Sequence, residues 1–136
     1  MHAFPLIVVA DDLDNLGHVN NARYLDYLER GRTQWYDDEE LVERCAVAER
    51  IRRDALGTVV VNVNIDFRAE CTTGDALEVM TAPARAGSKS LAVRQEIRKA
   101  NGELAAEATV TSVVMNLETR KSVVLPPAVK ALFPTP

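Results

Sequence analysis

The sequence predicts an α+β fold in which one long helix lies across an antiparallel sheet. Three observations carry this prediction. An apolar stripe at helical spacing runs from Tyr24 to Trp35, four alternating strand patterns fill the chain from Thr58 to Leu117, and tight-turn signals separate those strands.

In chain order, "FPLIVVA" (4–10) reads as a short buried strand that ends at an acidic loop. From Asn21 the period changes, and Tyr24, Leu28, Gly31 and Trp35 fall at i, i+4, i+7 and i+11, with Leu25 beside them. Arg23, Asp26 and Arg30 take the opposite side, the last two at ion-pair spacing, and Asn20 or Asn21 serves as N-cap. A glycine within the apolar stripe weakens a helix, so Gly31 marks a place where a neighbouring element passes close. A second helical segment begins at Asp37 or Asp38, with Glu39 and Glu40 in its first turn and Leu41, Val42 and Cys45 as its apolar side.

The remainder reads as strands. In "TVVVNVNIDFR" (58–68), Val59, Val61, Val63, Ile65 and Phe67 alternate with a mostly polar set. Thr73-Gly74-Asp75 is a turn, and "ALEVMTAPARA" (76–86) follows, with Pro83 near its end. Gly87-Ser88 opens a hairpin into "KSLAVRQEIRK" (89–99), where Leu91, Val93 and Ile97 alternate with charged residues. Asn101-Gly102 is a strong hairpin signal because both residues tolerate positive φ. "ELAAEATVTSVVMNL" (103–117) is the longest strand, and "LPPAVKALF" (125–133) a short helix with Pro127 in its first turn.

Composition narrows the function. A chain of 136 residues with 47% hydrophobic and 26% charged residues is sized for a single domain, 1–136. A net charge of −4 argues against nucleic acid as a partner, since phosphate binding needs a basic surface. No apolar run is long enough for a membrane span, and "MHAFPLIVVADD" lacks the basic start of a secretion signal. Cys45 and Cys71 stand far apart with no CxxC and no Cys/His ladder, which fits free thiols in a reducing cytoplasm and no zinc site.

The dense polar stretch is "DDLDNLGHVNN" (11–21). Turn and capping chemistry accounts for Asp11, Asp12, Asn15 and one asparagine, but poorly for Gly17-His18-Val19. A calcium loop fails, because Leu16 and Arg23 occupy ligand places. Asp12 and Asp14 alone are a weak magnesium signal. The fourth reading is a carboxylate placed just before a helix N-terminus, whose free N–H groups suit a developing oxyanion. Such a carboxylate can attack an activated carbonyl or activate water.

"DDLDNLGHVNNARYLDYLERGR" (11–32) closely resembles the signature D-x-D-x-x-G-H-V-N-N-x-x-Y-x-x-x-x-E-x-x-R of hotdog-fold acyl-CoA thioesterases, the 4-hydroxybenzoyl-CoA thioesterase-like family. Asp12, Asp14, Gly17, His18, Val19, Asn20, Asn21, Tyr24, Glu29 and Arg32 all fall in place. The segments "VVVNVNIDFRAECTTGDALEV", "GSKSL", "NGELAAEATVTSVVMNLETRK" and "LPPAV" extend the likeness over nearly the whole chain. The resemblance implies a long central helix wrapped by a curved antiparallel sheet, and hydrolysis of an acyl-CoA or acyl-carrier-protein thioester without metal or organic cofactor. Asp14 would be nucleophile or general base, the backbone amide near Asn21, at the start of the central helix, would polarise the thioester carbonyl, and Gly17 and His18 complete the catalytic set. Ser88, Lys89 and Ser90 fall where relatives hold coenzyme A. Thr58, Val59 and Val60 match a strand that lines the acyl pocket from a neighbouring subunit, so a homodimer or homotetramer with interface sites is implied. His18 stands as a general base or, the favoured reading, as a hydrogen-bonding group at the helix start. Tyr24 reads as core as well as substrate-facing, and Glu29 as either a partner of the site or a solvated helix charge. The rival functions are a non-catalytic acyl-thioester-binding protein and a hotdog hydratase or dehydratase.

Overall fold

The computed structural model describes residues 1–37 and 55–134. Its elements are β1 (His2–Ile7), α1 (Asn21–Asp37), β2 (Leu56–Phe67), β3 (Ala76–Ala86), β4 (Ser90–Lys99), β5 (Leu104–Asn116) and α2 (Pro127–Lys130). The predicted second helix, with Leu41, Val42 and Cys45, lies outside the described residues. The five strands form one sheet in the order β1-β3-β4-β5-β2. β1 pairs antiparallel with β3 from His2↔Thr81 to Ile7↔Ala76. At the other edge, Leu117 N–H donates to Ala55 O and Arg68 N–H to Ala105 O, so β2 runs antiparallel to β5.

The first strand is shorter and less buried than its sequence suggests. It stops at Ile7, and Ala10–Asp12 form a turn of 3-10 helix. As an edge strand β1 buries Leu6 and leaves Ile7 in solvent. Pro83 lies beyond the last β1–β3 pair, where its missing N–H breaks no bond to β1. The hairpin turn at Asn101-Gly102 is as predicted: Gly102 has φ +88°, and Asn101 Oδ1 accepts the Glu103 N–H.

Internal packing divides the chain into two compact units. The first holds Met1–Gln34, Ile65–Ala82 and Gln95–Ala108, and its core contains Val8, Val19, Tyr24, Tyr27, Leu28, Leu77, Val79 and Ile97. Here α1 meets the sheet. A Cβ at Gly31 would overlap Val79 Cγ1 and lie 3.3 Å from Gln95 Nε2, so only glycine lets the helix approach this closely. Gln95 is fully buried and satisfied: its Nε2 donates to Leu28 O (3.0 Å) and to Thr81 Oγ1 (2.9 Å), and its Oε1 accepts from Arg32 Nη1 (3.0 Å). Tyr27, absent from the predicted stripe, is fully buried, whereas Leu25, placed beside it, is exposed.

The second unit holds the described residues of Trp35–Asn64, Pro83–Arg94 and Thr109–Pro136. Trp35 packs edge-on against Phe133, with Leu56, Leu91, Val93, Val110, Val114, Leu125 and Val129 also buried. Pro127 opens α2 as predicted. The apolar alternation of β2 does not translate into burial. Val59, Val60 and Val61 are 38%, 42% and 57% exposed, because β2 is an edge and nothing among the described residues covers it.

Candidate active site

The stretch before α1 is a tight, locally bonded turn. Leu13 and Val19 form an antiparallel bridge, and Asp14 N–H donates to His18 O at 2.9 Å. Gly17 sits inside that turn with φ +83°, a left-handed conformation that disfavours a side chain. Its N–H donates to Asp14 O (3.2 Å), while Leu16 N–H donates to Asp14 Oδ1 (2.8 Å). Asn20 then caps the helix: its Oδ1 accepts Ala22 N–H (2.9 Å) and its carbonyl accepts Arg23 N–H (2.8 Å). Asn21 opens α1, and Asn20 does not take its amide.

The two aspartates of the D-x-D pair have different surroundings. Asp12 Oδ2 accepts a 2.7 Å bond from the buried Tyr27 hydroxyl, and Arg23 Nε stands 3.8 Å from Oδ1. Burial first, and then this bond to a carboxylate, push the Tyr27 phenol well above its ordinary pKa. Asp14 instead turns to His18, whose Nε2 is 3.2 Å from Asp14 Oδ2. The other ring nitrogen, Nδ1, is 3.2 Å from Glu70 Oε1. The carboxylates therefore do not converge on a common point, and among the described residues no group of three or more His, Cys, Asp and Glu is disposed to hold a metal ion.

A pocket of about 240 Å³ opens at this helix start, lined by His18, Val19, Asn21, Tyr24, Phe67, Arg68, Ala69 and Glu70. Tyr24 forms an inner wall, edge-on to both Tyr27 and Phe67, and its hydroxyl donates to Ala69 O (3.3 Å). Burial, then Cys71, raise the Tyr24 phenol, and burial raises the Cys71 thiol. A larger cavity of about 460 Å³ lies beside β1 and β3, lined by Pro5, Leu6, Ile7, Ala76, Leu77, Glu78 and Ala100. With one carboxylate and no second polar group to work with it, that cavity has no evident chemistry.

Of the residues the sequence nominated, the structure brings Asp14, Gly17, His18, Asn21 and Tyr24 together. Glu29 does not join them: it is exposed and lines a separate cleft of about 330 Å³ with Phe4, Asp26, Arg30, Thr33 and Gln34. Arg30 there lies over the Phe4 ring, 5.6 Å from its centroid. Thr58, Val59 and Val60 stand exposed on β2, and none lines the pocket. Ser88, Lys89 and Ser90 form the β3–β4 hairpin, where Ser88 O and Lys89 O accept N–H bonds from Leu125 and Val114. Sequence reasoning missed Glu70, Arg68 and Gln95. Gln95 had a signal, since it occupies the buried parity of the alternation Leu91, Val93, Ile97.

A long helix seated on a five-stranded antiparallel sheet, with a carboxylate turn at its start, defines the hotdog class of acyl-thioester proteins. The chain belongs to the Thioesterase-like superfamily, whose family model matches residues 8–133. It is 31% identical to the long-chain acyl-CoA thioesterase FadM of Escherichia coli (strain K12), over 83% of this chain and 82% of that one. It is 29% identical to the acyl-CoA thioesterase YbgC of Haemophilus influenzae, over 96% and 93% of the two chains. The crystal structure of YbaW from Escherichia coli superimposes with a TM-score of 0.81 at 28% identity, covering 97% of this chain and 98% of that one.

Proposed function

We propose that this protein hydrolyses acyl-CoA thioesters to free acid and thiol, with Asp14 as the reacting carboxylate. The observation that carries the reading is Asp14 held by a tight turn at the mouth of α1, next to the pocket that Asn21 lines, in a chain of the thioesterase-like family. The thioester carbonyl sits at the helix start, where the Asn21 N–H and the positive end of the helix receive the oxyanion. Asp14 either draws a proton from the attacking water or attacks the carbonyl itself to give an anhydride that water then opens. In both routes the C–S bond breaks, the electron pair leaves on sulfur, and the thiolate takes up a proton from solvent.

The working unit is a homodimer or homotetramer in which a second copy covers β2. An edge strand with exposed Val59, Val60, Val61 and Phe67 supports this, since bare apolar edges invite pairing. Thr58, Val59 and Val60 then line the acyl pocket of the neighbouring copy, and Ser88, Lys89 and Ser90 contact the coenzyme A or carrier-protein arm. The protein acts in the cytoplasm, where its thiols stay reduced; among the described residues no helix is long and apolar enough to cross a membrane.

The test is thiol release across short, medium, long and aromatic acyl-CoAs and an acylated carrier protein, with products identified by mass spectrometry. Free acid with stoichiometric thiol is expected. A hydrated acyl-CoA would instead assign a hydratase, and tight binding without turnover a binding protein.

A further inference from the structure

We infer that Glu70 is a positioning residue that acts through His18 on Asp14, an inference that rests on Asp14 being the reacting carboxylate. The imidazole of His18 lies between two carboxylates, with Nε2 3.2 Å from Asp14 Oδ2 and Nδ1 3.2 Å from Glu70 Oε1. A ring nitrogen facing a carboxylate makes a hydrogen bond only if it carries the proton. Each contact is a hydrogen bond when the ring nitrogen that faces the carboxylate is the donor. The torsion about the ring bond is broad and roughly two-fold, so a half-exposed imidazole with one partner samples alternative ring positions. Glu70 supplies the second partner and so fixes which nitrogen meets Asp14. Leu16 N–H holds Asp14 Oδ1 at 2.8 Å, so His18 controls the other carboxylate oxygen.

The Glu70 side chain is 81% exposed, but its backbone is tied down next to the turn. Val19 N–H donates to Cys71 O (2.8 Å), Thr72 Oγ1 donates to Gly17 O (3.1 Å), and Lys99 Nζ donates to Glu70 O (2.9 Å). The 69–72 segment and the 17–19 turn are therefore tied directly, by one main-chain bond and one from the Thr72 hydroxyl, which limits the span from Glu70 to His18. Nearby cations are committed elsewhere. Arg68, on the same pocket wall, pairs with Glu107 at 3.0 Å, and Lys99 lies between Asp75 (3.8 Å) and Glu103 (3.7 Å). Solvent screens the charge of so exposed a carboxylate, so its effect is orientation, and its size is modest.

The experiment uses the full-length protein with the Glu70→Ala, Glu70→Gln and Asp14→Asn variants. Each is assayed for kcat and KM, and His18 is followed by imidazole ¹⁵N NMR. His2 is the one other histidine, and its signal is identified with His2→Gln. Glu70→Ala lowers kcat about three- to ten-fold with KM changed less than about two-fold, because reacting groups are misaligned rather than substrate lost. The His18 nitrogen shifts change, because Nδ1 loses the acceptor that fixes the ring. Glu70→Gln restores most of kcat, since its amide oxygen still accepts the Nδ1 proton. Wild-type kcat and unchanged His18 shifts in Glu70→Ala, with Asp14→Asn inactive, would overturn the role of Glu70 alone. Full turnover in Asp14→Asn would overturn the Asp14 reading and this inference with it.

Discussion

Around the start of α1 the polar side chains close on their own chain: Tyr27 on Asp12, His18 on Asp14 and Glu70, Asn20 on Ala22. Along β2 the reverse holds, with Val59, Val60, Val61 and Phe67 turned to solvent. The first region is finished within one chain, and its geometry is already set before anything binds. The second is apolar surface that the described residues leave uncovered. The difference separates a carboxylate turn and helix start that bond among themselves from an apolar edge strand that the described residues leave open.

The largest expected effect is at Asp14. Asp14→Asn keeps an oxygen for the Leu16 N–H but cannot act as base or nucleophile, so turnover falls by about 10²–10⁴-fold. Its thermal unfolding stays near that of the parent, read by circular dichroism; a matching fall in melting temperature would make Asp14 structural. Next is the bare edge. Val61→Lys places a charge on the surface assigned to a second copy and weakens self-association by about 100-fold or more, read by sedimentation equilibrium. If its mass distribution equals the wild type, β2 is not the interface.

A smaller effect tests the closed region. Tyr27→Phe deletes the 2.7 Å bond to Asp12 and costs about 1.5–3 kcal/mol in urea unfolding, because the acceptor is charged and only partly hydrated. The smallest effect follows from the phenols. Tyr24 and Tyr27 both hold their protons above the ordinary value near 10, chiefly through burial, whereas in the unfolded chain they ionise near that value. Their contribution is therefore fully present below about pH 10 and declines as pH rises beyond it. The urea midpoint should fall between pH 9 and 11, and fall less in Tyr27→Phe; a flat midpoint would show that the phenols ionise alike in both states.

What the sequence disclosed depended on how local each feature is. The hairpin at Asn101-Gly102 is specified by neighbours a few residues apart and was legible, the cap was narrowed to Asn20 or Asn21, and Gly31 betrayed a close approach without naming Val79 or Gln95. Strand order was not. β1 read as an apolar run and β2 as an alternation with one apolar face; that both became edges follows from pairings across the chain, which leave one side of each strand open. Glu70 escaped for the same reason, since 52 residues separate it from His18. The resemblance singled out Asp14, but the different surroundings of the two aspartates, Tyr27 on Asp12 and His18 on Asp14, depend on contacts the motif does not spell out.

The seat at Gly31 has a mechanical consequence. α1 is a stiff rod, and Gly31 lies ten residues, about 15 Å, along it from Asn21. Raising the helix off Val79 by about 1 Å while its start stays anchored swings the axis by roughly 4°, by simple leverage over that length. The aim of the helix mouth is thus calibrated from a contact one and a half nanometres away, where a single missing methyl group acts as the spacer.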